Sequence, residues 1–196
     1  MYTGADPMTT NGYLIAVIGD TKLKEGSKKY LLAEILGQNL IDNGYRLVTG
    51  VLDDITEAVS NGARHSLNYT EGNIIGILLK KDPDPIIDTC LSTCVDLTHN
   101  VIVSTADAII AIGGGAGTLL DLTNAWTLNR LIIAYRVDGV SGKIADKKIK
   151  PWIRYPNIPT DRVYGVNSAY EAIECLAQKI ETYVPGHKST IKPDSG

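Results

Sequence analysis

Six consecutive residues, Gly113-Gly114-Gly115-Ala116-Gly117-Thr118, are the part of this 196-residue chain best suited to chemistry. They stand directly after the apolar run Ala108-Ile109-Ile110-Ala111-Ile112 and directly before a helix-like run, Leu119 to Leu128. A strand-to-helix turn of this kind leaves backbone N–H groups free at a helix N-terminus, where the macrodipole favours negative charge. Glycine lets the backbone approach an anion closely and adopt positive φ. The pattern predicts a phosphate cradle at Gly113, Gly114, Gly115 and Gly117, with Thr118 adding a hydroxyl donor. A tight strand-to-helix connection without a ligand uses the same residue types.

Other side chains could add chemistry to that cradle. Asp121 stands just beyond it, and a carboxylate there suits stabilisation of an oxocarbenium-like state or activation of water in N-glycoside hydrolysis. An acid in the first turn of a helix is equally explained by the dipole. Asn124 follows Asp121 at a spacing that shares its face, whereas Trp126 reads as core with Leu119 and Leu122. Asp53 has two readings: a polar group beside the ligand, or the N-cap of a helix beginning at Asp54. His99, with Asn100 beside it, is either a hydrogen-bonding partner for phosphate or base, or a polar residue opening a helix. Thr21 and Lys22 follow the first strand and suit a base, a ribose or a plain surface turn. Arg64-His65 ends a helix, where cations suit the dipole without any ligand.

The elements that must position these groups alternate along the chain. Strands are predicted over Tyr13 to Ile18, Tyr45 to Thr49, Asn73 to Leu79, Ala108 to Ile112, Leu131 to Tyr135 and Arg162 to Val166. Helices are predicted over Lys28 to Asn43, with Leu31, Leu32, Ile35, Leu36 and Leu40 on one side, and over Asp54 to Arg64. Further helices are expected at Thr98 to Thr105 and at Ser168 to Val184, the last with a Ser168/Glu171 capping box. Lys80 to Leu97 has no clear pattern, and Asp138 to Gly142 reads as a loop. Apolar strands alternating with helices imply a single-domain, doubly wound α/β fold: a Rossmann-like parallel sheet covered on both faces. Ligands on such sheets bind at the C-terminal strand edge, which places Gly19, Gly50 and the cradle on one side. Residues 13–184 form that domain in this reading, with a flexible leader over 1–12 and a flexible tail over 185–196.

This order of pieces resembles the SLOG superfamily of Rossmann-like proteins. That group includes the Lonely Guy (lysine decarboxylase-like) phosphoribohydrolases, whose motif is P-G-G-x-G-T-x-x-E. Here it reads Gly113-Gly114-Gly115-Ala116-Gly117-Thr118-Leu119-Leu120-Asp121. The G-G-G opening is closer to a sister branch of molybdenum cofactor carrier proteins and uncharacterised bacterial proteins. Ala16-Val17-Ile18-Gly19, Val48-Thr49-Gly50 and Glu57 to Ala63 extend the match, which covers Tyr13 to Ile180. Catalytic members carry a closing Glu and an upstream Arg. Asp121 replaces the first and His99 stands at the second. Asp is one methylene shorter, and a shift of about 1 Å costs about 10²-fold where geometry is critical. The resemblance implies binding of a nucleotide or phosphorylated cofactor, with hydrolase activity weak or absent. The alternatives are a nucleoside 5′-monophosphate phosphoribohydrolase using Asp121, and a molybdenum cofactor carrier. No cofactor is required in these readings; a nucleotide or a phosphorylated pterin is the expected bound molecule. The family also implies a homodimer or larger homo-oligomer.

Composition bounds the rest. A formal net charge of -3 argues against a duplex-binding surface, so no nucleic-acid partner is expected. The basic run Lys143 to Lys150 is interrupted by Asp146 and reads as a solvated loop. Three cysteines, Cys90, Cys94 and Cys175, make no disulfide framework, and no metal site is expected. No apolar run is long enough to span a membrane, and the N-terminus lacks a signal-type apolar core, so a cytoplasmic protein is expected.

Overall fold

The computed structural model of the chain describes residues 12–50, 53–78, 87–92, 98–151 and 153–184. The expected tail, and the leader apart from Gly12, lie outside these. In chain order come β1 (Leu14–Gly19), α1 (Lys28–Asp42), β2 (Arg46–Thr49), α2 (Asp54–Arg64), β3 (Ile74–Leu78) and β4 (Thr89–Ser92). Then follow α3 (Thr98–Thr105), β5 (Ala108–Ile112), α4 (Ala116–Thr127), β6 (Leu131–Tyr135), α5 (Val140–Ile144), β7 (Tyr164–Val166) and α6 (Ala169–Tyr183). The seven described strands pair in parallel in the order β4-β3-β2-β1-β5-β6-β7. The fold is Rossmann-like α/β, as the alternation of elements implied.

Both faces of the sheet are covered, which is why its strands are apolar at successive positions. Ile15, Val17, Ile110, Ile112, Ile133 and Tyr135 join α1, α2 and α6 on one face. Ala16, Ile109, Ala111, Ile132 and Ala134 join α3 and α4 on the other. Strand order reverses at β1, and Gly19 at its C-terminal end is in register with Ile112 at the end of β5. The crevice of a doubly wound sheet opens at this reversal.

Several boundaries differ from the sequence expectation. α4 begins at Ala116, inside the glycine run, because the Leu119 amide bonds the Gly115 carbonyl at 3.0 Å. Gly117 and Thr118 are therefore first-turn helix residues. Thr89-Cys90-Leu91-Ser92, in the stretch without a clear pattern, is a strand held by parallel pairing with β3. Cys90 accordingly lies on a strand, and Cys94 lies outside the described residues. Part of the expected loop after β6 is the short helix α5. On α1, Leu31 and Ile35 face outward at 46% and 52% exposure, and the buried stripe runs through Ala33, Leu36, Gly37 and Leu40. Leu119 is also exposed, while Trp126 and Leu122 are core. The α6 box forms by half. Ser168 accepts from the Glu171 amide at 3.2 Å, but the Glu171 carboxylate accepts from Asn167, one residue before the cap. No described helix is long and apolar enough to cross a membrane.

The shift of the α1 stripe has a backbone cause. A Cβ on Gly37 would lie 1.9 Å from the Val59 carbonyl oxygen, and one on Gly62 would lie 1.8 Å from that of Glu34. The two helices thus touch main chain to main chain. Gly62→Val is expected to cost about 2–3 kcal/mol, since the overlapping atoms are backbone and cannot swing aside. Urea unfolding with an unchanged slope measures it.

Burial also pushes the Tyr45 and Tyr155 phenols up from 10.0 to about 12. The fold favours the neutral phenol, so this contribution is fully present below the unfolded value of about 10 and is lost as pH rises toward 12. Tyrosinate absorbance is expected to appear together with loss of ellipticity in that window.

Candidate functional site

Gly19 brings the ends of β1 and β5 together. A Cβ there would lie 2.1 Å from the Ile112 carbonyl oxygen, so no larger residue fits. The chain then turns at Gly113 and Gly114, with φ of 72° and 89°, conformations that favour glycine. Asp20, directly after β1, fastens this turn. Its Oδ1 accepts from the Gly114 amide at 3.0 Å, and its Oδ2 accepts from Lys29 Nζ at 2.6 Å. A Cβ on Gly113 would strike Asp20 Oδ2, and one on Gly114 would strike Thr118 Oγ1. From the other side, Ser141 Oγ accepts from the Gly113 amide at 2.8 Å and donates to the Tyr135 carbonyl at 2.8 Å. The Val140 and Ser141 amides donate back to the Gly114 and Gly113 carbonyls.

With Gly113 and Gly114 committed inward, the open part of the turn is Gly115 to Thr118. Gly115 is the N-cap of α4 and supplies no side-chain cap. A Cβ on Gly115 or Gly117 would meet nothing within 4 Å. The first-turn amides of α4 thus front a cleft of about 650 Å³ at the sheet reversal. Gly19, Gly50, Asp53, Gly115, Gly117, Thr118 and Asp121 all line it, so the topology brings together most of the residues expected in the site.

Three of them are also engaged within the fold, and for Asp53 this is the N-cap reading that the sequence offered. The Thr118 hydroxyl donates to the Gly19 carbonyl at 3.1 Å, which ties α4 to β1. Asp53 is the N-cap of α2, accepting from the Thr56 amide at 2.9 Å, and still faces the cleft. Asp121 is 3% exposed, on the buried side of α4. Gly50 packs against Ile102, whose Cδ1 would lie 2.4 Å from a Cβ added there. His99 and Asn100 fall in the first turn of α3; their side chains lie outside the described residues. Arg64 pairs with Asp88 at 2.9 Å, and His65 is the C-cap of α2.

Asp20, Thr56, Ile102 and Ser141 are site-forming residues that sequence reasoning did not select. Asp20 had a signal, its place after a strand ending in glycine; Ser141 had none. The cleft carries three carboxylates, Asp20, Asp53 and Asp121, and no cation among its described lining residues. No group of three or more His, Cys, Asp or Glu is placed to hold a metal ion among the described residues.

The fold and this glycine turn place the chain in the class of Rossmann-like α/β proteins. It belongs to the SLOG cluster4 family, whose model matches residues 12–158. An uncharacterised protein of Archaeoglobus fulgidus is 30% identical over 115 residues, 57% of this chain and 72% of that protein. Among solved structures, the structural-genomics target TM1055 superposes with a TM-score of 0.71 at 22% identity, covering 85% of this chain and 99% of that one. The molybdenum cofactor carrier protein of Chlamydomonas reinhardtii gives 0.67 at 18% identity, covering 87% and 99%. The molybdenum cofactor binding protein of Rippkaea orientalis gives 0.65 at 25% identity, covering 86% and 97%.

Asp20→Ala removes the acceptor of the Gly114 amide and the partner of Lys29 together. A hydrogen bond to a charged group contributes about 1.5–3 kcal/mol, so a stability loss of that size is expected. Hydrogen exchange at the Gly114 amide is expected to accelerate more than at the β5 amides.

Proposed function

We propose that this protein binds a small phosphorylated molecule, a nucleotide or a phosphorylated pterin, with its phosphate on the N-terminus of α4. One observation carries the reading: α4 opens into the cleft with no side-chain cap and with empty space beside Gly115 and Gly117. Backbone amides and the positive helix pole suit a phosphate there. The carboxylates lining the rest of the cleft suit hydrogen-bond donors of the ligand, such as ribose hydroxyls or the N–H groups of a heterocycle. A phosphorylated pterin has both features. The Chlamydomonas and Rippkaea neighbours, a molybdenum cofactor carrier protein and a molybdenum cofactor binding protein, support a cargo of that class.

Cleavage of a nucleoside monophosphate is the second reading, favoured by the place of Asp121 on the cleft, one turn into α4. Its carboxylate would face an oxocarbenium-like centre beyond the phosphate.

Gly115→Asp separates binding from folding. Aspartate is a favoured N-cap, so the variant is expected to be at least as stable as the parent in thermal unfolding. Its carboxylate would occupy the anion position. Titration calorimetry with nucleoside monophosphates and with a phosphorylated pterin is expected to show about 10²-fold weaker binding or more. Unchanged affinity for every such ligand would sink the α4 reading. Release of free base from a nucleoside monophosphate, lost in Asp121→Ala, selects the hydrolase over simple binding.

A further inference from the structure

A second cleft, of about 570 Å³, lies on the other side of the glycine turn. Gly139 lines it, and a Cβ on Gly139 would lie 2.7 Å from the Gly113 carbonyl carbon. Lys29 lines it too, and its ammonium holds Asp20, which lines the α4 cleft. Asp20, bonded to Lys29 and to the Gly114 amide, therefore links the two clefts.

The two clefts are opposite in charge. The second is lined by Lys28, Lys29, Arg136 and Lys143 against Asp138 and Asp146. Four cations gather at one opening in a chain whose formal net charge is -3. One of them, Lys28, sits where neither helix stability nor an ion pair among the described residues would put it. Lys28 and Lys29 occupy the first turn of α1, which holds no acid, and its N-cap Ser27 makes no side-chain capping bond. Cations at the positive pole of a helix are unfavourable unless an anion joins them. Arg136 is held by Asp146 at 2.8 Å. Lys28 and Lys143 are exposed and form no ion pair among the described residues.

We propose that this cleft is an oxyanion subsite, taking a phosphate-class group in addition to the one on α4. Lys28 and Lys143 supply uncommitted charge, and Lys29 has donors left beyond the one given to Asp20. The subsite stands by itself; only its joint use with the α4 cleft by one ligand rests on the function proposed above.

Titration of the full chain with inorganic pyrophosphate at low ionic strength tests the subsite. Saturable binding is expected. The double variant Lys28→Glu, Lys143→Glu is expected to weaken it about tenfold or more, with unchanged circular dichroism because both positions are exposed. Gly115→Asp is expected to keep pyrophosphate binding. No binding by the parent, or equal affinity in the double variant, overturns the subsite. Loss of pyrophosphate binding in Gly115→Asp alone also overturns it and assigns the anion to α4. Retained pyrophosphate binding in Gly115→Asp, with nucleotide binding also unchanged, supports the subsite while the α4 reading fails. A nucleoside diphosphate weakened in the double variant more than its monophosphate places both groups on one ligand. A pyrophosphate effect without any nucleotide effect makes the subsite one for a free anion, and either result supports it.

Discussion

The Asp20 carboxylate accepts from the Gly114 amide with one oxygen and from the Lys29 ammonium with the other. It stands after the first strand of the sheet, yet it fixes the turn after the fifth, across the point where strand order reverses. The neighbouring contacts depend on that fastening. Gly19 must lack a side chain so that β1 and β5 can meet, Gly113 so that Asp20 can approach, and Gly114 so that Thr118 fits beneath the turn. Once the first two amides of the turn are committed to Asp20 and Ser141, the amides left facing the cleft are those opening α4.

The same arrangement separates charge. Carboxylates collect on the α4 side of the glycine turn and cations on the α1 and α5 side. The Asp20–Lys29 pair is the contact between them, with side chains about a quarter exposed (25% and 23%), which keeps the pair partly shielded from solvent. In the function proposed above, the phosphate would meet the α4 amides and the ligand's hydrogen-bond donors the carboxylates of the same cleft.

Much of the architecture was legible in local pattern. β5 and β6 occupy the ranges their apolar runs gave, and α2 runs from Asp54 to Arg64 as its periodicity indicated. β4 was not legible, because Thr-Cys-Leu-Ser has no apolar pattern and becomes a strand by pairing with β3. The outward turn of Leu31 and Ile35 was hidden as well. Gly37 and Gly62 draw two backbones together, and that contact rotates the buried stripe away from the larger side chains. In the site, the glycines and Asp53 could be found by type and spacing. Ser141 could not, because its role is a contact to a turn distant in sequence.

By itself the sequence determined the alternation of apolar strands and helices, and with it a covered parallel sheet bearing a glycine turn at one edge. Those follow from hydrophobic periodicity and from glycine's access to positive φ, which act over a few residues. Tertiary structure alone decided which polar groups the turn consumes and which it leaves open. Thr118, read as a ligand donor, has its hydroxyl on the Gly19 carbonyl, while Asp20, which the sequence pattern did not single out, holds the cradle. Hydrogen bonds between residues far apart in the chain assign each donor once. That assignment depends on which strand ends the sheet places side by side.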